Sequence, residues 1–163
     1  MFFSDNDGTQ PFRRCLEAIM TSHLYDPLPG FSALLRGALQ DLAPEAHTFL
    51  QMLSDDAVME FPFAPEGITR RLEGRAAVAE HLSSLSGMLD IDSFTSPVVY
   101  RDTEKGVTTM EFSCQGRAVQ TGKPYNQDYI SVITVRDGHI VHYRDYWNAL
   151  VVLEALVPAG SEV

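Results

Sequence analysis

In the first half of the chain, apolar residues recur at intervals of three and four, the spacing that gathers them on one face of an α-helix. This spacing predicts helices over 31–42, from Pro44 to about residue 53, and over about 75–85, the last one beginning after Gly74. His81 lies on the core-facing side of the third helix. The apolar positions of the three helices are Leu35, Ala38, Leu39 and Leu42, then Ala46, Phe49, Leu50 and Leu53, then Val78, Leu82 and Leu85.

The second half alternates between apolar and polar residues, the period of two that marks β-strands. Because the last four predicted strands follow one another without an intervening helix, the pattern predicts an α+β fold that ends in an antiparallel meander. The predicted strands are 57–63, 94–102, 107–119, 124–136 and 139–147. The predicted organisation is an arm over 1–30 with a short helix at 13–23, one domain over 31–157, and a flexible tail over 158–163.

Asp137-Gly138 separates the last two alternating segments, and this dipeptide favours the two-residue turn of a β-hairpin. Such a turn sets the register, so Asp128 is predicted opposite Trp147, and Ile130 opposite Asp145. The two carboxylates then share one face as diagonal neighbours, roughly 7–8 Å apart, among aliphatic and aromatic side chains. Carboxylates on an apolar face are costly unless they are paired or functional, so this face is the candidate site.

The inward face of the 107–119 strand depends on the turn at Thr121-Gly122. A two-residue turn puts Glu111 beside Asp145, whereas a three-residue turn ending in a bulge puts Phe112 there. We favour the second, because it gives an apolar face that helices can cover. It leaves an outer face that mixes aromatic and charged groups, which suits a subunit interface. That face comprises Glu111, Ser113, Gln115, Tyr129, Ser131, Ile133, His142, Arg144 and Tyr146.

Composition narrows the possible partners. The 163 residues carry a formal net charge of −10, which argues against nucleic acid and anionic membrane surfaces. The two cysteines, Cys15 and Cys114, show no metal-binding spacing, and no phosphate-binding glycine loop or other cofactor motif is present. The first residues lack the basic and apolar segments of a signal peptide, so a reducing cytoplasm is expected.

Four segments together resemble the nuclear-transport-factor-two-like superfamily, in its SnoaL-like polyketide cyclase and ketosteroid-isomerase-like branch. They are AVMEFPFAP, RLEGRAAVAEHL, YNQDYISV and DGHIVHYRDYWNAL, and the resemblance covers roughly residues 31–156. It implies a cone, in which a curved antiparallel sheet wraps around three or four N-terminal helices and encloses an apolar pocket. It also implies a homodimer formed through the outer face of the sheet.

The resemblance also implies which positions of this sequence correspond to the catalytic residues of related enzymes. In ketosteroid isomerases, two aspartates occupy the positions that correspond here to Phe61 and Val132. Limonene epoxide hydrolases and phenazine-biosynthesis A/B proteins place an acidic group at the position of Asp145, although the Arg-x-Asp motif of the former is absent here. The histidine that the phenazine proteins use corresponds to Arg75. Polyketide cyclases of this type use one aspartate as acid and base, without a cofactor.

We therefore predict cofactor-free acid/base chemistry on a small hydrophobic or polyketide-like molecule, with Asp145 moving the proton. Asp128 and His81 complete the predicted catalytic set. No metal or cofactor site is predicted, and the alternative function is a non-catalytic binding module with the same pocket. Each role also has a structural reading: Asp145 bound to backbone amides or an arginine, Asp128 paired with Lys123, and His81 satisfied in the core. The predicted ligand contacts are Trp147, Tyr143, Phe61, Met59 and Phe112.

Overall fold

The computed structural model describes residues 26–43 and 46–158. The predicted helix at 13–23, Cys15, Pro44 and most of the predicted tail lie outside the described residues. Helices α1 to α4 span Pro29–Leu39, Phe49–Met52, Arg75–Met88 and Ala149–Leu156, and a 3-10 turn, Gln40–Leu42, follows α1. None of the helices in this described part is long and apolar enough to cross a membrane.

The predicted helical faces are confirmed for α1 and α3, whose apolar positions Leu35, Ala38, Val78 and Leu82 are buried. The second helix is shorter than predicted. It is a single turn, closed by reciprocal hydrogen bonds between Thr48 and Gln51, and Leu53 already has an extended backbone. Pairing with the last strand begins at Leu53 and takes over from the helical spacing.

Seven strands form one mixed sheet in the order β2-β1-β7-β6-β5-β3, with β4 also paired to β5. Only the β1–β7 pair is parallel among the described strands, and the others are antiparallel. β3 and β4 follow each other along the same edge of β5. The strands are β1 Leu53–Glu60, β2 Arg71–Glu73, β3 Leu89–Phe94, β4 Val98–Asp102, β5 Val107–Ala118, β6 Gln127–Arg136 and β7 His139–Trp147.

The turn between β6 and β7 is the predicted one. Asp137 and Gly138 both have positive φ, 50° and 75°, as a two-residue hairpin turn with the twist of the strands requires. Beside the turn, Arg136 pairs with His139 and Val135 with Ile140, which confirms the predicted register at that point.

Two residues further along, the register shifts. Thr134 pairs with His142, so Val141 is an extra residue on β7. From Thr134 back to Tyr129, each residue of β6 therefore faces a partner one position away from the predicted one. Asp145 is opposite Ser131 and Trp147 is opposite Tyr129. The bulge turns the β6 side chains to the face opposite the predicted one, while β5 and β7 keep theirs.

The predicted faces of β6 change as a result. Asp128 does not share a face with Asp145, and its predicted place on the inner face is wrong. Tyr129, Ser131 and Ile133 belong to the inner face instead of the outer one.

Phe112, which pairs with Tyr129, does lie on the inner face as predicted, while Glu111 is exposed. The predicted bulge in the turn before β6 is wrong, because the register from Phe112 opposite Tyr129 to Arg117 opposite Pro124 is continuous. Phe112 faces inward because β6 is reversed as well.

The core lies between the inner face of the sheet and the helices. Three aromatic rings join the two layers: the rings of Phe31 on α1 and Phe49 on α2 contact Tyr143 on β7, with centroids 6.3 and 5.5 Å away. Ser32 ties the two helices together, because its hydroxyl accepts the backbone N–H of Phe49 at 2.8 Å. The result is a mixed α+β fold with a curved, open sheet, in which α1 and α2 precede the strands, α3 lies between β2 and β3, and α4 follows β7.

Candidate active site

A cavity of about 460 Å³ lies between the inner face of the sheet and helices α1, α3 and α4. Its wall is mainly apolar, and the polar side chains that reach it are few. This is the usual composition of a small-molecule site, in which a few polar groups fix the orientation of the ligand. The predicted site residues that line it are Met59, Phe61, His81, Phe112, Asp145 and Trp147.

Asp145 brings a carboxyl group into this apolar space. One of its oxygens, Oδ1, accepts a hydrogen bond from the Ser131 hydroxyl at 2.9 Å. Within the described ranges, no arginine and no backbone amide is hydrogen-bonded to Asp145. Burial raises the pKa of Asp145 to about 7, and the hydrogen bond from Ser131 opposes that rise. Near neutral pH, this carboxyl can therefore either accept or donate a proton.

Ser131 is itself the middle of a chain of hydroxyl groups. The Tyr143 hydroxyl donates to Ser131 Oγ at 2.8 Å, and both residues have no solvent exposure. Tyr143 was predicted to contact the ligand, but it does not line the cavity. It lies behind the wall and reaches the site only through Ser131.

His81 projects from α3 into the same cavity, as its position on the helical face predicts. Its ring lies against Phe61, with centroids 5.2 Å apart. Burial lowers the pKa of His81, so the imidazole is neutral around pH 7. Among the residues that the structure describes, His81 and Asp145 are not hydrogen-bonded to each other.

A second polar cluster in the cavity was missed from the sequence. The hydroxyls of Tyr125 and Tyr129 are 3.0 Å apart, and Cys114 Sγ lies 3.8 Å from the Tyr129 hydroxyl. Burial raises the pKa of Tyr125 to about 12 and also raises that of Tyr129. Both tyrosines are therefore protonated at neutral pH. Of their two hydroxyl hydrogens, one joins the pair and the other is available to Cys114 or to a ligand.

Comparisons with known proteins identify the family of this chain. Residues 33–143 match the model of the SnoaL-like domain. The uncharacterized protein YesE of Bacillus subtilis is 46% identical over 114 residues, which are 70% of this chain and 78% of YesE. The chain belongs to the SnoaL-like family. A PhzA/B-like protein of Pseudomonas aeruginosa is 38% identical over 121 residues, or 73% of this chain and 85% of that protein.

Solved structures show the same fold. A Bacillus subtilis protein provisionally named an isomerase is 38% identical, with a TM-score of 0.65 over 83% of this chain and 95% of that one. Proteins provisionally named polyketide cyclase or described as ketosteroid isomerase-like share the fold at 18% and 17% identity. The protein is thus a SnoaL-like member of the nuclear-transport-factor-two-like cone fold.

At the end of β1, two neighbouring residues point in opposite directions. Phe61, which follows β1 and was predicted at the position of the first ketosteroid isomerase aspartate, is buried and lines the cavity. Glu60 points away from the cavity, and its carboxylate accepts a hydrogen bond from Arg71 and contacts His142, at 2.6 Å each.

Arg75, which was predicted at the position of the histidine of the phenazine proteins, donates a hydrogen bond to the Leu53 carbonyl at 2.6 Å. That contact ties the start of α3 to β1.

Asp128 lies outside the SnoaL-like cavity. It is exposed on the outer face, and its Oδ1 accepts a hydrogen bond from the Ser113 hydroxyl at 2.6 Å. The alternative reading, a pair with Lys123, is not seen either. Lys123 Nζ donates to the carbonyls of Glu154 and Val157 at the end of α4, at 3.1 and 2.6 Å.

Proposed function

We propose that the cavity binds a small, largely apolar, ring-bearing molecule and that Asp145 catalyses a proton transfer on it without a cofactor. The observation that carries this proposal is the carboxyl of Asp145, held inside an apolar cavity with a pKa of about 7. A general acid or base works best when its pKa lies near the working pH. An isomerase, cyclase or dehydratase reaction fits a single group of this kind.

The arrangement supports a carbonyl-bearing ligand. Ionised Asp145 would accept a proton from a carbon beside the carbonyl, so that the C–H bond breaks, a carboxyl O–H bond forms and the electron pair passes into the carbonyl system. The tyrosine hydroxyl pair, Tyr125 and Tyr129, would donate a hydrogen bond to the carbonyl oxygen as charge develops there. Protonated Asp145 would then return the proton to another atom of the ligand.

The walls would set the ligand's shape. Trp147 on β7 and Phe112 on β5 supply aromatic surface, while Met59 on β1 and Phe61 just after it supply further apolar surface. Neutral His81, packed against Phe61, would offer a hydrogen bond and tune the site. The names of several relatives, an isomerase and polyketide cyclases, support the same reaction classes.

One observation favours the second candidate, a binding module without catalysis. In the described part of the chain, the hydrogen-bond partner of Asp145 is a serine, and no second titratable group is bonded to it. Binding alone needs only the cavity and a few polar contacts.

Exchange of hydrogen for deuterium separates the two candidates. The probe is a panel of cyclic and polycyclic ketones and 1,3-diketones in deuterium oxide, followed by proton NMR. We expect the wild type and Asp128→Asn to speed exchange of at least one member, and Asp145→Asn to be slower by about 100-fold or more. A panel member that binds with no enzyme-dependent exchange in the wild type would favour the binding module.

We also propose a homodimer through the outer face of the sheet. Val98, Glu111, Ile130 and Tyr146 pair in one row across β4 to β7, and the Phe63 ring lies 5.2 Å from that of Tyr146. Ile130, on a central strand, is 47% exposed, which is high for an apolar residue in the middle of a sheet, and Val98 on the edge strand β4 is 53% exposed. A dimer of standard size would bury about 1,200 Å² or more in total.

Sedimentation at micromolar concentration tests the dimer. Ile130→Asp should shift the protein to monomer, because it places a second carboxylate directly beside Glu111 in the middle of that row. Val119→Asp is the matched control, since Val119 is 57% exposed but lies beyond the end of β5. A wild-type monomer, or equal effects of both variants, would contradict the proposed interface.

A further inference from the structure

Three polar side chains on the inner face of the sheet form one directed chain of hydrogen bonds. Each hydroxyl has a single hydrogen, so the chain has a fixed order when Asp145 is ionised: Tyr143 donates to Ser131, and Ser131 donates to Asp145 Oδ1. The distances, 2.8 and 2.9 Å, are those of full hydrogen bonds. Neither hydroxyl has solvent available to replace its partner, since Ser131 and Tyr143 are both 0% exposed.

The first member of the chain is fixed by the helical layer. The Tyr143 ring lies edge-on against both Phe31 of α1 and Phe49 of α2, whose rings also contact each other, and all three belong to the core. A ring held from two helices cannot turn its hydroxyl away from Ser131 without repacking both contacts. The position of the Asp145 carboxyl is therefore set from the opposite layer of the fold through two hydrogen bonds.

The two oxygens of Asp145 are consequently unequal. Oδ1 is held by Ser131, whereas Oδ2 has no hydrogen-bond partner among the described residues, and the carboxyl lines the cavity. A carboxylate oxygen without a hydrogen-bond partner is the better place for an incoming proton. The hydrogen bonds from Tyr143 through Ser131 therefore fix the orientation of the Asp145 carboxyl and leave Oδ2 as the atom that takes the proton.

We propose that Tyr143 and Ser131 are positioning residues that hold Oδ1 of Asp145, so that Oδ2 is the atom that exchanges a proton with the ligand. This inference rests on the proposed acid/base function of Asp145. It adds two residues that do not touch the ligand, and it explains why a tyrosine and a serine stand at 0% exposure behind the cavity wall. It also links the packing of α1 and α2 to the behaviour of the carboxyl.

Other titratable groups face the same space and must be separated from this effect. They are His81 on α3, Tyr125 just before β6 and Tyr129 on β6, with the Cys114 thiol behind Tyr129. The electrostatic effects of these groups on the pKa of Asp145 are unchanged when only the Ser131 or Tyr143 hydroxyl is removed. A comparison of single-hydroxyl variants therefore isolates the chain.

The test is a titration of Asp145 by NMR in protein labelled with ¹³C at the aspartate carboxyl, assigned with Asp145→Asn. We expect Ser131→Ala to tighten proton binding at Asp145 by about tenfold or more, because a hydrogen bond to the ionised form is lost. Tyr143→Phe should act in the same direction with a smaller effect, since it weakens the Ser131 donor without removing it. Should Ser131→Ala fail to fold, Tyr143→Phe alone carries the test.

Thr108→Val is the matched control. Thr108 is 0% exposed on the inner face of β5, and its hydroxyl has no partner among the described residues, so its removal should leave Asp145 unchanged. Equal titrations of Asp145 in the wild type and Tyr143→Phe would remove Tyr143 from the proposal, and equal titrations in Ser131→Ala would overturn it entirely. A wild-type Asp145 that titrates like an ordinary carboxyl would instead count against the proposed function, even if the variants differ.

Discussion

Asp145 and Asp128 occupy opposite faces of the same hairpin, although their local chemistry is nearly identical. Each accepts a hydrogen bond from a serine on the adjacent strand, Asp145 from Ser131 at 2.9 Å and Asp128 from Ser113 at 2.6 Å. The two carboxyls differ in their surroundings and in what supports the donor serine. Asp145 lines an apolar cavity, and its serine is backed by a buried tyrosine, whereas Asp128 is exposed.

The comparison shows that the hydrogen bond alone does not make a reactive carboxyl. A donor serine favours the ionised form wherever it stands, so by itself it lowers the pKa. Removal of solvent around Asp145 works in the opposite direction and dominates. The two faces of one sheet therefore offer a protected carboxyl and a solvated one, and each is the natural control for the other.

The largest expected effect comes from placing a new charge on each face of β6. Ile133 has 0% exposure on the inner face, so Ile133→Asp should destabilise the protein by more than about 4 kcal/mol or prevent folding, since it buries an unpaired charge. Ile130→Asp, three residues away on the outer face, should leave the monomer fold intact. Circular dichroism and urea unfolding measure both, and a stable Ile133→Asp would show that the two faces are assigned in reverse.

The next effect is the pH dependence of stability at the two carboxyls. The pKa of Asp145 in the folded protein, about 7, is higher than its unfolded value of about 3.9. Ionisation is thus penalised in the folded state, and the penalty grows between pH 4 and pH 7 and is constant above that. Asp145→Asn should therefore stabilise the protein above pH 4, by an amount on the order of 2–4 kcal/mol at pH 7.

Urea unfolding at pH 4, 5.5, 7 and 8 checks this expectation, with Asp128→Asn as the control. The control should stay within about 0.5 kcal/mol of the wild type throughout, as exposed substitutions usually do. A loss of stability in Asp145→Asn at pH 7 would instead identify Asp145 as a structural residue whose ionised form the fold requires.

The smallest effect is expected at His81. Burial lowers the pKa of His81 in the folded protein below the unfolded value of about 6.5, so the folded state binds the proton more weakly than the unfolded state. The wild type should lose stability as the pH falls through and below that value, and His81→Gln should lose less over the same range. His139→Gln, at an exposed position beside the Asp137 carbonyl, serves as the control. Equal pH dependence of the wild type and His81→Gln would show that His81 is not desolvated.

Much of the architecture follows from sequence patterns, because those patterns are local. The buried stripes of α1 and α3 follow from helical spacing, and β7 has the predicted bounds, 139–147, because Asp-Gly fixes the turn that precedes it. The length of α2, a single turn, was overestimated. The apolar spacing up to Leu53 is helical, but Leu53 pairs with β7 instead.

The error at β6 has a different origin. No local signal marks Val141 as a bulge, and one extra residue reverses a whole face. The charge distribution did contain a hint: the even-numbered residues of β6 include Asp128 and Arg136, whereas the odd-numbered ones from 127 to 135 carry no charge. The tyrosine pair and the Tyr143–Ser131 contact depend on how strands and helices meet, which one-dimensional spacing does not encode.

The central claim is that the cavity holds the Asp145 carboxyl at a neutral pKa. Its most direct test is the ¹³C titration of that carboxyl in the unmodified protein between pH 3 and pH 9. We expect a midpoint near 7, with the resonance assigned by its absence in Asp145→Asn. A midpoint near the ordinary value of about 3.9 would contradict the account, because it would mean that solvent or an unrecognised partner stabilises the ionised group.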